Sequence, residues 1–174
     1  SPLEKPGDHA MIRYARIATP QGTLLATARD GALTGLYFEN QKYFPAVDAG
    51  WIEDPQAAPL PECARQVREY FEGTRTSFDL PLAPEGTDFQ RRVWNEIARI
   101  PFGETITYSE LATRARAPGS ARAAGAATGR NPISIVVPCH RVVGADGSLT
   151  GYAGGLHRKT RLLEIEGVLQ GQLV

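Results

Sequence analysis

A change of period constrains this chain more than any other feature. Between residues 11 and 39 the segments MIRYARIAT, TLLATAR and ALTGLYFE have strand length and are punctuated by Pro20-Gln21-Gly22 and Asp30-Gly31, both marks of tight turns. Beyond Thr87 the spacing turns helical, with Phe89, Val93, Ile97 and Ile100 falling on one face. Such a pattern predicts an α+β chain, with an antiparallel sheet and one helix first and a helical domain second. PECARQVREYFEG supplies the first-half helix, placing Val67, Tyr70 and Phe71 together and stopping at Gly73. Residues 40–59 read as irregular, TSFDLPL as a short extended piece, and APEG as a linker. The expected domains are therefore residues 11–84, an N-terminal support domain, and residues 85–174, a C-terminal functional domain. Residues 1–10, SPLEKPGDHA, lack either period and are expected to be a disordered lead or a vector-derived scar.

The second half carries a helix-turn-helix pattern. Thr87 with Gln90 forms a capping box, and Thr107 with Glu110 forms another that opens a short helix with Tyr108 in its first turn. After a turn over residues 116–119, Ser120 is placed to cap a third helix, ARAAGAAT. Long base-reading side chains are missing from it; only Arg122 rises above Ala, Gly and Thr. Two readings stand level. A helix stripped to small residues can approach a minor groove only about 6 Å wide, and small residues equally permit tight packing inside the protein.

Charge is distributed unevenly on a chain whose formal net charge is zero. Residues 1–84 hold 8 Lys/Arg against 11 Asp/Glu, whereas residues 111–161 hold eight basic residues against the single acid Asp146. That excess points to an anionic partner, nucleic acid first, against the alternative of a solvated basic face. Apolar runs fall short of the ~20 residues that cross a bilayer, and no signal segment opens the chain, so no membrane partner and an intracellular, cytoplasmic location are expected. Cys63 and Cys139 have no CxxC spacing and only three histidines accompany them, so no metal is expected and both thiols are expected to be free. Cys63 reads as a small buried hydrophobe.

IVVPCHRVVG, residues 135–144, sets a thiol, an imidazole and a guanidinium inside an apolar run. A free thiol with pKa near 8.5 is only about 3% thiolate at pH 7, and apolar flanks raise that pKa, so Cys139 needs help. His140 can act as base and Arg141 adds positive charge. On an extended chain neighbouring side chains diverge, so Cys139 and His140 meet only through a turn or a bridging water. Ile135 to Val137 read as a strand that Pro138 ends. Farther on, a helical wheel over HRKTRLLEIEG places Glu166 on the apolar face, at the helix C-terminus where the macrodipole disfavours it. Either a partner such as a histidine relay accounts for it, or the helix end frays into solvent.

NPISIVVPCHRVVGADGSLTGYAGG, with FQRRVWNEIARIPFGETITYSELA and SARAAGAATGRNP, resembles the C-terminal domain of the O6-alkylguanine-DNA alkyltransferases, the methylated-DNA-protein-cysteine methyltransferases. Residues 86–167 match closely, and residues 11–80 match in outline. The resemblance implies a ribonuclease H-like N-terminal domain and a winged-helix-like C-terminal domain. It implies DNA repair by irreversible, single-turnover transfer of an alkyl group from O6 of guanine, with O4 of thymine left open, to Cys139. His140, through a water, and Glu166 would form the relay, and Asn131 would hold the turn carrying Cys139. Tyr108 would contact the guanine edge, Arg122 would fill the stack left by a flipped nucleotide, and Ala123 and Gly125 would join the DNA-contacting set. Backbone groups at Cys139 and Val142 would recognise the base, and Tyr152, Ala153 and Gly154 would wall the pocket. No cofactor is implied, and the expected partner is double-stranded DNA held through its minor groove by a monomer, with cooperativity open. Family zinc sites need thiols beyond Cys63, and Ala153 replaces a hydroxyl found in some relatives. Rival readings are a multiple-turnover cysteine hydrolase or acyltransferase and a helix-turn-helix regulator whose cysteine is incidental.

Overall fold

The computed structural model describes residues 11–169; residues 1–10, expected as a disordered lead, lie outside the described residues. The chain divides into two compact units, Ser1–Glu39 with Phe44–Pro84, and Asn40–Tyr43 with Glu85–Val174.

In the first unit, β1 (Arg13–Thr19), β2 (Gly22–Arg29) and β3 (Ala32–Phe38) form an antiparallel meander. Its second hairpin turns through Asp30 and Gly31 at φ 53° and 79°, the paired left-handed conformations that suit a two-residue loop to strand twist. A short strand, β4 (Ile52–Glu53), joins β1 in parallel within the region read as irregular. Two residues are too few to leave a period in the sequence. The sheet order β3-β2-β1-β4 makes β2 interior, and its residues from Leu24 to Ala28 are all buried. Helix α1 (Leu60–Glu72) adds Leu60, Cys63, Val67 and Tyr70 to this core and ends where Gly73 takes φ 82°. The piece TSFDLPL is tied down by Gln66, whose side chain accepts from the Asp79 N–H and donates to the Asp79 carbonyl, both at 2.9 Å.

The second unit is built on α2 (Asp88–Ala98), α3 (Tyr108–Arg114), α4 (Ala121–Gly129) and α5 (Leu156–Ile165). Two short strands, β5 (Ile106–Thr107) and β6 (Val142–Val143), pair in parallel. The Thr87–Gln90 capping box is complete. At α3 only half of the expected box forms: Thr107 Oγ1 accepts from the Glu110 N–H at 3.1 Å, but the Glu110 carboxylate turns to Arg114 at 3.0 Å, a nearby charge outcompeting a backbone amide. Ser120 precedes α4 without a side-chain cap, because its backbone sits at φ −104°, ψ 46° rather than in the extended region where a capping hydroxyl reaches forward. Helix α4 is tied to α2 instead, the Trp94 indole N–H donating to the Ala127 carbonyl at 2.8 Å.

Candidate active site

The predicted strand over residues 135–137 is not there. Val136 N–H bonds the Ser134 carbonyl and Val137 N–H that of Ile133, so the segment winds through successive turns, with Ile135 at φ 70°. A β-branched residue in the left-handed region is strained, and such strain persists only where the surroundings over-determine the backbone. Asn131 supplies part of that constraint. Its buried amide donates to the Val137 carbonyl at 2.8 Å and accepts from the Ile133 N–H at 3.0 Å. Ile133, Ile135 and Val137 are buried, so their apolar character anchors turns instead of a strand. Past Pro138, Cys139–Arg141 forms one 3-10 turn, the turn that Cys139 and His140 need in order to serve one site.

His140 and Glu166 are fully buried side chains joined at 2.6 Å through Nε2 and Oε2. The ionised carboxylate only accepts, so Nε2 carries the proton and Nδ1 keeps its lone pair. Burial lowers the His140 pKa below its usual value against the opposing pull of Glu166, keeping the imidazole neutral. Glu166 also takes Arg141 Nε at 2.7 Å and Nη2 at 3.0 Å, and Arg141 Nη1 donates to the Ile100 carbonyl at 2.6 Å. Arg141 therefore compensates the misplaced carboxylate of the helical wheel. It is not the thiol's electrostatic helper, as the sequence suggested, because its fork is used up by Glu166 and Ile100.

That helper is Lys159, which the sequence reading missed. Its side chain is fully buried, with Nζ donating to the carbonyls of Val142 at 2.6 Å, Thr150 at 3.0 Å and Gly151 at 3.2 Å. Burial pushes its pKa down to about 8. The Cys139 thiol is pushed up by burial, while Asn131 and the Lys159 charge pull it back. The signal was present: the wheel that exposed Glu166 puts Lys159 about 60° from Leu162, also on the apolar face.

Cys139 opens onto a cleft of about 780 Å³ lined by Tyr108, Gly125, Gly151, Tyr152 and Ala153. The Tyr108 hydroxyl donates to the Thr150 carbonyl at 3.0 Å, and its ring lies over Gly125, 3.7 Å from where a Cβ would stand. Tyr152 meets the His140 ring edge-on at 6.5 Å, and the Gly154 carbonyl accepts from Arg158. The Val142 N–H donates to the Cys139 carbonyl, and the Val142 carbonyl accepts from Lys159 with a second lone pair left over. Residues 40–43, read with the first domain, join this unit because the Lys42 N–H donates to the Ala153 carbonyl at 2.9 Å.

Helix α4 uses part of its small-residue set for packing inside the protein. Ala124 and Ala127 are buried, whereas Arg122, Ala123 and Ala126 are exposed. Of the eight basic residues over 111–161, Arg141 and Lys159 face the interior and Arg114 pairs with Glu110, so the outward basic face is smaller than the sequence count. Both cysteines are free thiols. Among the described residues no helix is long and apolar enough to cross a membrane.

Comparison with known proteins matches both halves of the chain. Residues 12–84 match the model of the ribonuclease-like domain of 6-O-methylguanine DNA methyltransferase, and residues 88–168 match that of its DNA binding domain. A methylated-DNA--protein-cysteine methyltransferase of Mycolicibacterium paratuberculosis is 49% identical over 90% of this chain and 93% of its own. One from Methanosarcina barkeri is 48% identical over 88% and 96%. A crystal structure of Mycobacterium tuberculosis OGT in complex with DNA superposes with a TM-score of 0.82 at 46% identity, covering 88% of this chain and 92% of that one. With both domains matched and close identity over most of its length, the chain belongs to the 6-O-methylguanine DNA methyltransferase family.

Proposed function

We propose that this protein repairs DNA by direct reversal, taking the alkyl group of O6-alkylguanine onto Cys139 in a single, irreversible turnover. The observation that carries the assignment to Cys139 is its place at the floor of a cleft, next to a buried His140–Glu166 pair at 2.6 Å that leaves Nδ1 as a base. A thiol raised by burial is inert at rest, which suits a nucleophile that reacts once.

In the reaction, His140 takes the thiol proton through a water, and Glu166 stabilises the imidazolium that forms. The sulfur attacks the sp³ alkyl carbon, an S–C bond forms, and the C–O6 bond breaks. Guanine leaves with that electron pair and takes up one proton, so a donor near O6 lowers the barrier. The stable thioether does not hydrolyse. Because O6 lies inside the duplex, the nucleotide must leave the stack, at a cost of a few kcal/mol.

The exposed face of α4, with Ala123 and Ala126 too small to collide with groove walls, suits minor-groove entry, and Arg122 is the side chain to insert where the base departs. Tyr108 and Gly125 shape the cleft beside the extruded nucleotide, and Tyr152, Ala153 and Gly154 wall it. Asn131 positions the turn that carries the thiol. O4-alkylthymine presents the same alkoxy carbon and is a second substrate to assay. In this reading the protein acts as a monomer in the cytoplasm, on double-stranded DNA.

Intact mass after incubation with a duplex containing O6-methylguanine tests this reading. The expected result is a gain of one methyl group, mapped to Cys139, with no further activity. Unchanged mass, or several products per protein as a hydrolase would give, overturns it.

A further inference from the structure

The cleft has a rim that the alkyl-transfer chemistry does not use. Lys42, Tyr43 and Arg130 line it with Cys139, but the cysteine is buried and these three are exposed. The buried residue is thus the floor and the exposed trio the mouth. The Arg130 guanidinium lies 3.7 Å from the centre of the Tyr43 ring, and the Lys42 ammonium 5.1 Å from it. One aromatic ring therefore holds two cations.

The segment bearing the ring is built into place. The Lys42 N–H bonds the Ala153 carbonyl at 2.9 Å, and the buried Gln41 donates from its amide to the Lys42 carbonyl at 3.2 Å. Asn40 and Tyr43 stand at φ 72° and 61°. A left-handed aromatic residue is disfavoured in sequence-local terms, and an outlier of this kind next to a site motivates a functional assignment.

We infer that Lys42, Tyr43 and Arg130 form a phosphodiester clamp, gripping the DNA backbone beside the nucleotide that enters the cleft; this rests on the reading of the site as a DNA alkyl acceptor. A base lodged at the floor draws its own phosphates to the mouth, where two pre-positioned cations meet them. Cations held by the ring lose little further freedom when they bind, and Arg adds a planar fork matched to phosphate. The contribution is independent of sequence, as repair in any context requires.

The test measures binding of undamaged and O6-methylguanine duplexes by anisotropy across a salt series, for the wild-type protein and the double variant Lys42→Ala/Arg130→Ala. Loss of two phosphate contacts makes the slope of log K against log salt shallower by about 2 and weakens binding roughly tenfold at ~0.1 M salt. Alkyl transfer from the duplex falls more than transfer from free O6-methylguanine base. Tyr43→Ala, which removes no charge, slows the duplex reaction, and Tyr43→Phe, which keeps the ring, does not. An unchanged slope in the double variant overturns the clamp, and so do equal losses on duplex and free base, which assign the rim to the alkyl pocket. Failure of the wild-type protein to methylate Cys139 removes the repair reading and leaves the slope to decide the clamp.

Discussion

Cys63 and Cys139 are both buried, at 0% and 5% exposure, and burial raises the pKa of both thiols. Around Cys63, on the inner face of α1, nothing opposes that rise, and the thiol is pushed up to about 12. Around Cys139 the Asn131 amide and the Lys159 ammonium work against it, and the next residue, His140, holds a base aligned by Glu166. The difference between a filler and the proposed nucleophile therefore lies in the polar groups admitted around the sulfur and in the cleft that Cys139 lines.

The largest expected effect breaks the pair apart. Cys139→Ser abolishes methyl transfer, a loss of more than ~10³-fold set by the weak nucleophilicity of an unactivated hydroxyl. Cys63→Ser still takes up one methyl. Peptide mapping after reaction checks both, and methyl found on Cys63 ends the contrast. Next comes Glu166→Gln, which preserves shape but leaves His140 without a carboxylate and Arg141 without a countercharge. Transfer slows about 10²-fold, in the range of general-base contributions, while duplex affinity holds. A parallel loss of DNA binding would assign Glu166 to architecture alone. With Glu166 intact, the pH profile follows His140. Because its folded pKa is lowered, the imidazole stays neutral through its ordinary range near 6.5, and transfer declines only at more acid pH, where protonation removes the base. A decline already centred above 6.5 would contradict that order.

How much of this was legible in the sequence depended on the range of the interaction. Turn chemistry and capping are local, so the Asp30-Gly31 hairpin and the Thr87–Gln90 box stand as read, and the helical wheel singled out Glu166 before any partner was visible. Ser120 and Ile135 failed for one reason: a neighbouring constraint, not the residue's own preference, sets the backbone there. Arg141 was misassigned because sequence adjacency to Cys139 is a poor guide within a 3-10 turn, whose side chains fan out in different directions. Lys159 was overlooked because a lysine on an apolar face is ordinarily snorkelling to solvent, and only the three carbonyls converging on Nζ reveal that it does not. The 40–43 segment left no trace, since its ties are a backbone bond to Ala153 and a ring–cation contact to Arg130.

Lys159 offers a finer probe of what separates the two thiols. Lys159→Met keeps length and apolar stem but deletes a charge that holds the Cys139 thiol down, so its thiol pKa rises further and its alkylation by iodoacetamide at pH 7 slows. Cys63 reacts as before. In the wild-type protein the advantage over the Met variant fades as pH rises through about 8, where the Lys159 ammonium discharges. A Met variant with an unshifted profile would reduce Lys159 to a tie between Val142 and the 150–151 loop.

The smallest effect is thermodynamic and runs opposite to the kinetic one. Cys63 packs in α1 with Leu60, Val67 and Tyr70 lining the same core, so Cys63→Ala removes a buried sulfur and costs about 1–2 kcal/mol, a fall of several degrees in Tm for one unit of this size. Cys139 follows a turn that holds Ile135 at φ 70°, and that turn is tied by the Asn131 side chain. Cys139→Ala therefore costs less than Cys63→Ala, since functional positions are rarely optimised for stability. Thermal unfolding of the two alanine variants decides it. If Cys139→Ala loses as much as Cys63→Ala, the sulfur is part of the packing after all, and the turn of residues 131–138 is held by it as well as by Asn131.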